Sequence, residues 1–139
     1  MILKYPLDPD ASRPLIQLDS IFRNCTALID TGALIPVWTK QSAVLTRLGA
    51  KLEREAVTFG GFGGAATGDL FRMDLQLGDI LYPGLPIVSS YNELIPGYFI
   101  FSATMFSEMD YTISNRTKQF IIETHTDKRV YYLKVSSSI

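Results

Sequence analysis

Between residues 71 and 78 apolar and polar positions alternate without a break. Phe71, Met73, Leu75 and Leu77 fall on one side of an extended chain, and Arg72, Asp74, Gln76 and Gly78 on the other. The pattern predicts a strand with one buried and one wet face, whose partner lies upstream across a run of glycines. Other apolar runs, at 27–29, 34–38, 85–88 and 98–101, are of the length that suits short buried strands. Residues 15–22 place Ile16, Leu18 and Ile21 on an extended segment, and Arg23-Asn24 is a plausible hairpin turn into the strand that starts at Cys25. Pro36 forbids a helix interior at 34–38. Thr39 is placed to cap a short helix that puts Val44, Leu45 and Leu48 on one face and stops at Gly49.

Downstream, Gly78-Asp79 reads as a turn, Pro83-Gly84 as a break, and 89–97 as a loop. Met105, Phe106 and Met109 have the spacing of a helical turn packed on a core. Strands are expected at 111–113, 119–123 and 129–135, separated by Ser114-Asn115 and by a polar turn around His125. The sum is a mainly β chain with one or two short helices and no internal repeat.

Composition narrows the class. The chain has 139 residues, 47% hydrophobic and 19% charged, enough for one domain with a real core and too apolar for disorder. A formal net charge of −1 without a block of like charge argues against nucleic acid or an anionic membrane surface as partner. No long uncharged run suggests a membrane span. Residues 1–14 carry Lys4, Asp8, Asp10 and Arg13 among three prolines and lack the apolar core of a signal peptide. The lone Cys25 cannot form an intrachain disulfide, so a cytoplasmic location is expected and Cys25 reads as a small core residue. A single Cys and a single His far apart leave little basis for a metal site or a Cys-His pair. The expected layout is an N-terminal extension at 1–14, one domain at 15–135 and a polar tail at 136–139.

The candidate chemistry sits at Ala27-Leu28-Ile29-Asp30-Thr31-Gly32-Ala33, where an apolar run delivers a carboxylate to the point at which strand becomes turn. Asp30 has two readings. It can accept hydrogen bonds from nearby backbone N–H groups in an Asx-turn, or it can be a reacting carboxylate. A second feature is Gly60-Gly61-Phe62-Gly63-Gly64-Ala65-Ala66-Thr67-Gly68, which holds five of the ten glycines and marks a hairpin tip that must bend or move. A phosphate loop is the rival there, but no Gly-Lys-Ser/Thr follows, and the next element is a strand.

Asp30-Thr31-Gly32-Ala33, the glycine-rich hairpin and the late run Ile100-Phe101-Ser102 together resemble the retroviral-type (retropepsin-like) aspartic proteases over roughly residues 15–123. The resemblance implies a closed-barrel-like fold with half an active site per chain. It implies a homodimer in which two copies of Asp30 activate a water to cleave an extended peptide, without metal or organic cofactor. Thr31 would hold the two loops together and Gly32 would keep the loop tight beside the water. The hairpin would be a flap over substrate, with Phe59, Gly60, Gly61, Phe62, Gly63 and Gly64 as its candidate contacts. Ala33 stands where pepsin-like members often carry Ser or Thr; with fewer donors to the charged form, the expected optimum is mildly acidic. Ser102 stands where glycine is usual. The alternatives are a catalytically silent peptide-binding or dimerisation module on the same fold, and an unrelated β domain in which Asp30 is only a turn residue.

Overall fold

A computed structural model describes residues 1–18, 25–39, 41–60, 66–92 and 98–134. The strands along them are β1 (Ile2–Pro6), β2 (Leu15–Gln17), β3 (Thr26–Asp30), β4 (Val37–Trp38), β5 (Lys51–Phe59), β6 (Ala66–Leu77), β7 (Ile80–Ser90), β8 (Tyr98–Ser102), β9 (Asp110–Ser114) and β10 (Gln119–Glu123). A helix, α1 (Ser42–Arg47), follows β4, and a 3-10 turn, Ala103–Phe106, follows β8. No helix among the described residues is long and apolar enough to cross a membrane.

The strands form a seven-stranded sheet in the order β2-β3-β8-β4-β7-β6-β5 and a three-stranded sheet in the order β1-β10-β9. An interior strand of the large sheet is β8, which runs parallel to β3 and antiparallel to β4. Its side chains serve two cores. Phe99 and Phe101 point into the larger cluster, while Ile100 joins a second one with Ala33, Ile35, Val37, Val57, Phe59, Leu70 and Val88. A strand buried on both faces has no use for polar alternation, which is why 98–101 reads as a continuous apolar run. Aromatic edges lock the larger core: Trp38 meets Phe99 at 5.3 Å between ring centroids, and Phe99 meets Phe101 at 5.1 Å.

The fold is mainly β as expected, but hydrogen bonding does not close it into a barrel. Both sheets are open and meet through an isolated bridge between Leu7 and Ile16. Closure would require the outer edges of β2 and β5 to pair. β2 is three residues long, and β5 is interrupted by irregularities at Leu52/Arg54 and Arg54/Val57, with every residue from 51 to 56 exposed. The apolar faces are covered instead by packing of one sheet on the other. Tyr5, Phe120 and Ile122 of the small sheet enter the same cluster as Ile16, Ile29 and Phe101 of the large one.

Several local expectations change for identifiable reasons. Ile2–Pro6, inside the segment expected to be an extension, pairs along its length with β10, burying Tyr5 against the core. Thr39 is buried and is not the helix cap. The cap position falls to Gln41, whose carbonyl accepts the Trp38 indole N–H at 3.1 Å. The helix does stop at Gly49, where the N–H groups of Gly49 and Ala50 return to the carbonyls of Thr46 and Leu45. Pro83-Gly84 does not break the chain: β7 passes through it as a bulge, with Gly84 at φ +54° and its N–H on Asp74 Oδ1 at 2.7 Å. Of the strand expected at 129–135, the described residues form only a bridge between Val130 and Leu81. The Arg23-Asn24 turn and the polar tail lie outside the described residues.

Candidate active site

Ala27, Leu28 and Ile29 are at most 4% exposed, and Asp30, the last residue of β3, is half-buried. Past it the chain turns sharply. Asp30 Oδ1 accepts the Gly32 N–H at 2.9 Å, and the Asp30 carbonyl accepts the Ala33 N–H at 3.2 Å. The Asx-turn read as one alternative is therefore present, and it orients the carboxylate through its own backbone. Thr31 and Gly32 are exposed, whereas Ala33 is buried in the second cluster. A Cβ added at Gly32 would lie 3.4 Å from Asp30 Oδ1, an ordinary contact, so the glycine is not demanded by space within its own chain.

An open cleft of about 460 Å³ lies over this turn, lined by Arg13, Pro14, Leu28, Ile29, Asp30, Thr31 and Ile113. It runs along the seam between the sheets, since Ile113 belongs to β9 and the Asp30 turn to β3. The Ile29 N–H donates to the Pro14 carbonyl at 3.0 Å and so holds the Arg13-Pro14 segment against β3. Arg13, Pro14 and Ile113 are not legible as site residues in the sequence, because the contact that makes them neighbours of Asp30 is tertiary.

The strands that flank the glycine-rich segment, β5 and β6, pair antiparallel, with Phe59 opposite Ala66. Phe59 is buried in the same cluster as Ala33, so the base of the hairpin packs against the turn that carries Asp30. Gly60 is exposed, and Gly61, Phe62, Gly63 and Gly64 lie outside the described residues. Where β6 leaves the hairpin, Gly68 passes so close to β7 that an added Cβ would lie 2.3 Å from the Ser89 carbonyl oxygen. A bulge in β5 puts Ala56 at φ +53°, and its N–H donates to Asp69 Oδ1 and to the Tyr91 hydroxyl, each at 3.1 Å. Tyr91 itself donates to Asp69.

Ser102 is paired in register with Asp30 across the parallel strands and is completely buried. Its hydroxyl lies 2.7 Å from that of Thr104, which donates to the Leu34 carbonyl at 3.0 Å.

Metal-type ligands gather elsewhere. Asp110, Glu123 and His125 bring oxygen and nitrogen atoms within 4.8 Å of one another on the exposed end of β9 and β10. His125 Nε2 lies 2.6 Å from Asp110 Oδ2, and that hydrogen bond, with the carboxylate's charge, raises the histidine above its ordinary value. None of the three lines the Asp30 cleft.

No protein-family model and no curated protein matches this sequence. Among solved structures, a retropepsin-like aspartic protease from Rickettsia conorii superposes with a TM-score of 0.56 and 13% identity, over 89% of this chain and 91% of that one. At that identity the likeness is one of fold. The chain has the fold of the retropepsin-like aspartic proteases.

Proposed function

We propose that this chain is an aspartic endopeptidase that acts as a homodimer, in a reducing, cytoplasmic setting to which the single, buried Cys25 is suited. The observation that carries the proposal is the placement of Asp30. On a fold shared with a retropepsin-like protease, a half-buried carboxylate stands at the end of a buried strand and opens onto a cleft. One such carboxylate is half of the required chemistry; a second copy of Asp30 about a two-fold axis supplies the other half.

In the assembled site one carboxylate is ionised and the other protonated, because like charges that close do not both ionise. The ionised group takes a proton from water as its oxygen bonds to the scissile carbonyl carbon. The protonated group gives its proton to the carbonyl oxygen. When the resulting diol collapses, the C–N bond breaks and the leaving nitrogen takes up a proton. Thr31 and Gly32 sit exposed beside the carboxylate, where the loop of a second copy and the water would approach. Gly32 has room for a side chain in its own chain, so the reading assigns its bareness to that external approach. The glycine-rich hairpin closes over an extended peptide and supplies backbone hydrogen bonds to it. Phe59 supports the hairpin from within the core, leaving Gly60, Gly61, Phe62, Gly63 and Gly64 as the candidate substrate contacts.

The test is cleavage of an unbiased peptide pool at micromolar protein and mildly acidic pH, with sedimentation of the same samples. The expected result is a dimer that cleaves and is inhibited by hydroxyl-bearing transition-state mimics, and an Asp30→Asn variant slower by at least about a hundredfold. An Asp30→Asn protein that cleaves at the wild-type rate refutes the proposal. A dimer that binds peptides without cleaving them, and does not prefer the mimics, would make the silent binding module the better reading.

A further inference from the structure

Hydrogen bonds hold the stretch 30–36 at its two ends, burial of Ala33 and Ile35 in the second core holds it between, and one further bond reaches Leu34 from the 3-10 turn after β8. At its start the Asp30 carboxylate and carbonyl accept the Gly32 and Ala33 N–H groups. At its end the Pro36 carbonyl accepts the Val88 N–H at 3.0 Å. Between them, Leu34 is 69% exposed, so its side chain contributes little packing to hold the turn in place. Its carbonyl accepts the Thr104 hydroxyl instead, and Thr104 is in turn bonded to the fully buried Ser102.

The direction of this chain of bonds follows from proton count. A carbonyl cannot donate, so the single hydroxyl proton of Thr104 points to Leu34. Thr104 Oγ1 can then only accept from Ser102, whose own proton points to Thr104. Every donor in the relay has its acceptor, which is the condition under which a buried hydroxyl such as that of Ser102 can be tolerated. The relay starts at the residue in register with Asp30 on the neighbouring strand and ends on the turn that Asp30 opens.

We infer that Ser102 and Thr104 are positioning residues, which fix the Asp30 turn through the Leu34 carbonyl by a one-way hydroxyl relay. The catalytic consequence rests on the peptidase reading; the mechanical one does not. Ser102 thus replaces the glycine usual at its place with a directed hydrogen bond. Held on both sides, the carboxylate keeps the orientation set by its Asx-turn. Freed at Leu34, the middle of the turn keeps only the packing of Ala33 and Ile35 to hold it.

Two variants of Thr104 separate the hydroxyl from the side-chain shape. Thr104→Val keeps the volume and removes the proton, whereas Thr104→Ser keeps the proton on a smaller side chain. With the dimer verified by sedimentation, Thr104→Val is expected to lower kcat about tenfold with KM within about twofold, since orientation and not binding is lost. Thr104→Ser should recover most of that loss, and Ser102→Ala should fall between. Amide hydrogen exchange supplies the readout that does not need catalysis: the Ala33 N–H should exchange about tenfold faster in Thr104→Val and not in Thr104→Ser. A Thr104→Val protein with wild-type kcat, or equal losses in Val and Ser, overturns the catalytic role. If the wild type cleaves nothing, the peptidase reading fails on its own, and unchanged Ala33 exchange in Thr104→Val would still overturn the relay.

Discussion

Two glycines of the same segment should respond very differently to the same small change. At Gly68 the β6 backbone passes against β7, and an added Cβ would lie 2.3 Å from the Ser89 carbonyl oxygen and 2.8 Å from Val88 Cγ1. Ordinary contact begins near 3.4 Å, so the strands must separate by about 1 Å at this point. The atom in the way is backbone and cannot rotate aside. Separation by that amount stretches neighbouring ladder bonds from ~2.9 Å to beyond hydrogen-bonding range. The pairs at risk are Gly68 with Ser90, Asp69 with Ser89 and Leu70 with Val88. Two or three such bonds, at ~1 kcal/mol each, place the cost of Gly68→Ala at about 3 kcal/mol, in the range of other overpacking substitutions. At Gly60 an added Cβ meets nothing within 4 Å and the backbone is not left-handed, so Gly60→Ala should lie within about 0.5 kcal/mol of wild type. Urea unfolding of the three proteins, read as midpoints at a common slope, makes the comparison. A Gly68→Ala protein as stable as wild type would refute the claim that this glycine is set by the close approach of two strands.

Tyr82→Phe should destabilise by about 1–3 kcal/mol, because the buried Tyr82 hydroxyl donates to the Met105 carbonyl at 2.7 Å and its loss strands that acceptor. Burial also raises the Tyr82 phenol well above its ordinary value, so this tyrosine should stay protonated in a spectrophotometric titration that ionises ordinary phenols. His125 is raised above 6.5 by Asp110, first through the hydrogen bond and then through charge, with a smaller push from Glu123 and an opposing one from burial. A raised folded-state value means that the stabilisation is fully present below about pH 6.5 and is lost as pH climbs through the elevated value. The difference in thermal midpoint between wild type and His125→Gln should therefore shrink from about pH 6.5 upward; a difference that does not change with pH would contradict it.

How far the site could be read in advance depends on the range of the interactions that build it. Asp30 at the end of a buried strand, its turn and the hairpin joining β5 to β6 follow from residues within a few positions of one another. For the same reason the alternation at 71–77 gave the inner and outer faces of β6 correctly. Pro83-Gly84 misled because a left-handed glycine permits either a break or a bulge, and only the Asp74 carboxylate from the preceding strand, β6, selects the bulge. Thr39 misled because its hydroxyl suits a cap, while the burial of Trp38 and its bond to Gln41 draw the helix start onward. The N-terminal segment read as an extension and not as a strand since Ile2–Pro6 is too short to declare itself until β10 is beside it.

By itself the sequence determined that the chain is mainly β, and that a carboxylate is delivered to a tight turn at the end of an apolar strand. Those features rest on local periodicity, backbone preference and the hydrogen bond between Asp30 and Gly32. Tertiary structure alone decided that the sheets stay open, that β8 is buried on both faces, and that Arg13 and Ile113 border Asp30. It also decided that Ser102 and Thr104 reach across to Leu34. Each of these joins residues far apart in the chain, and such contacts depend on where both partners' backbones have already been placed, which no local pattern encodes.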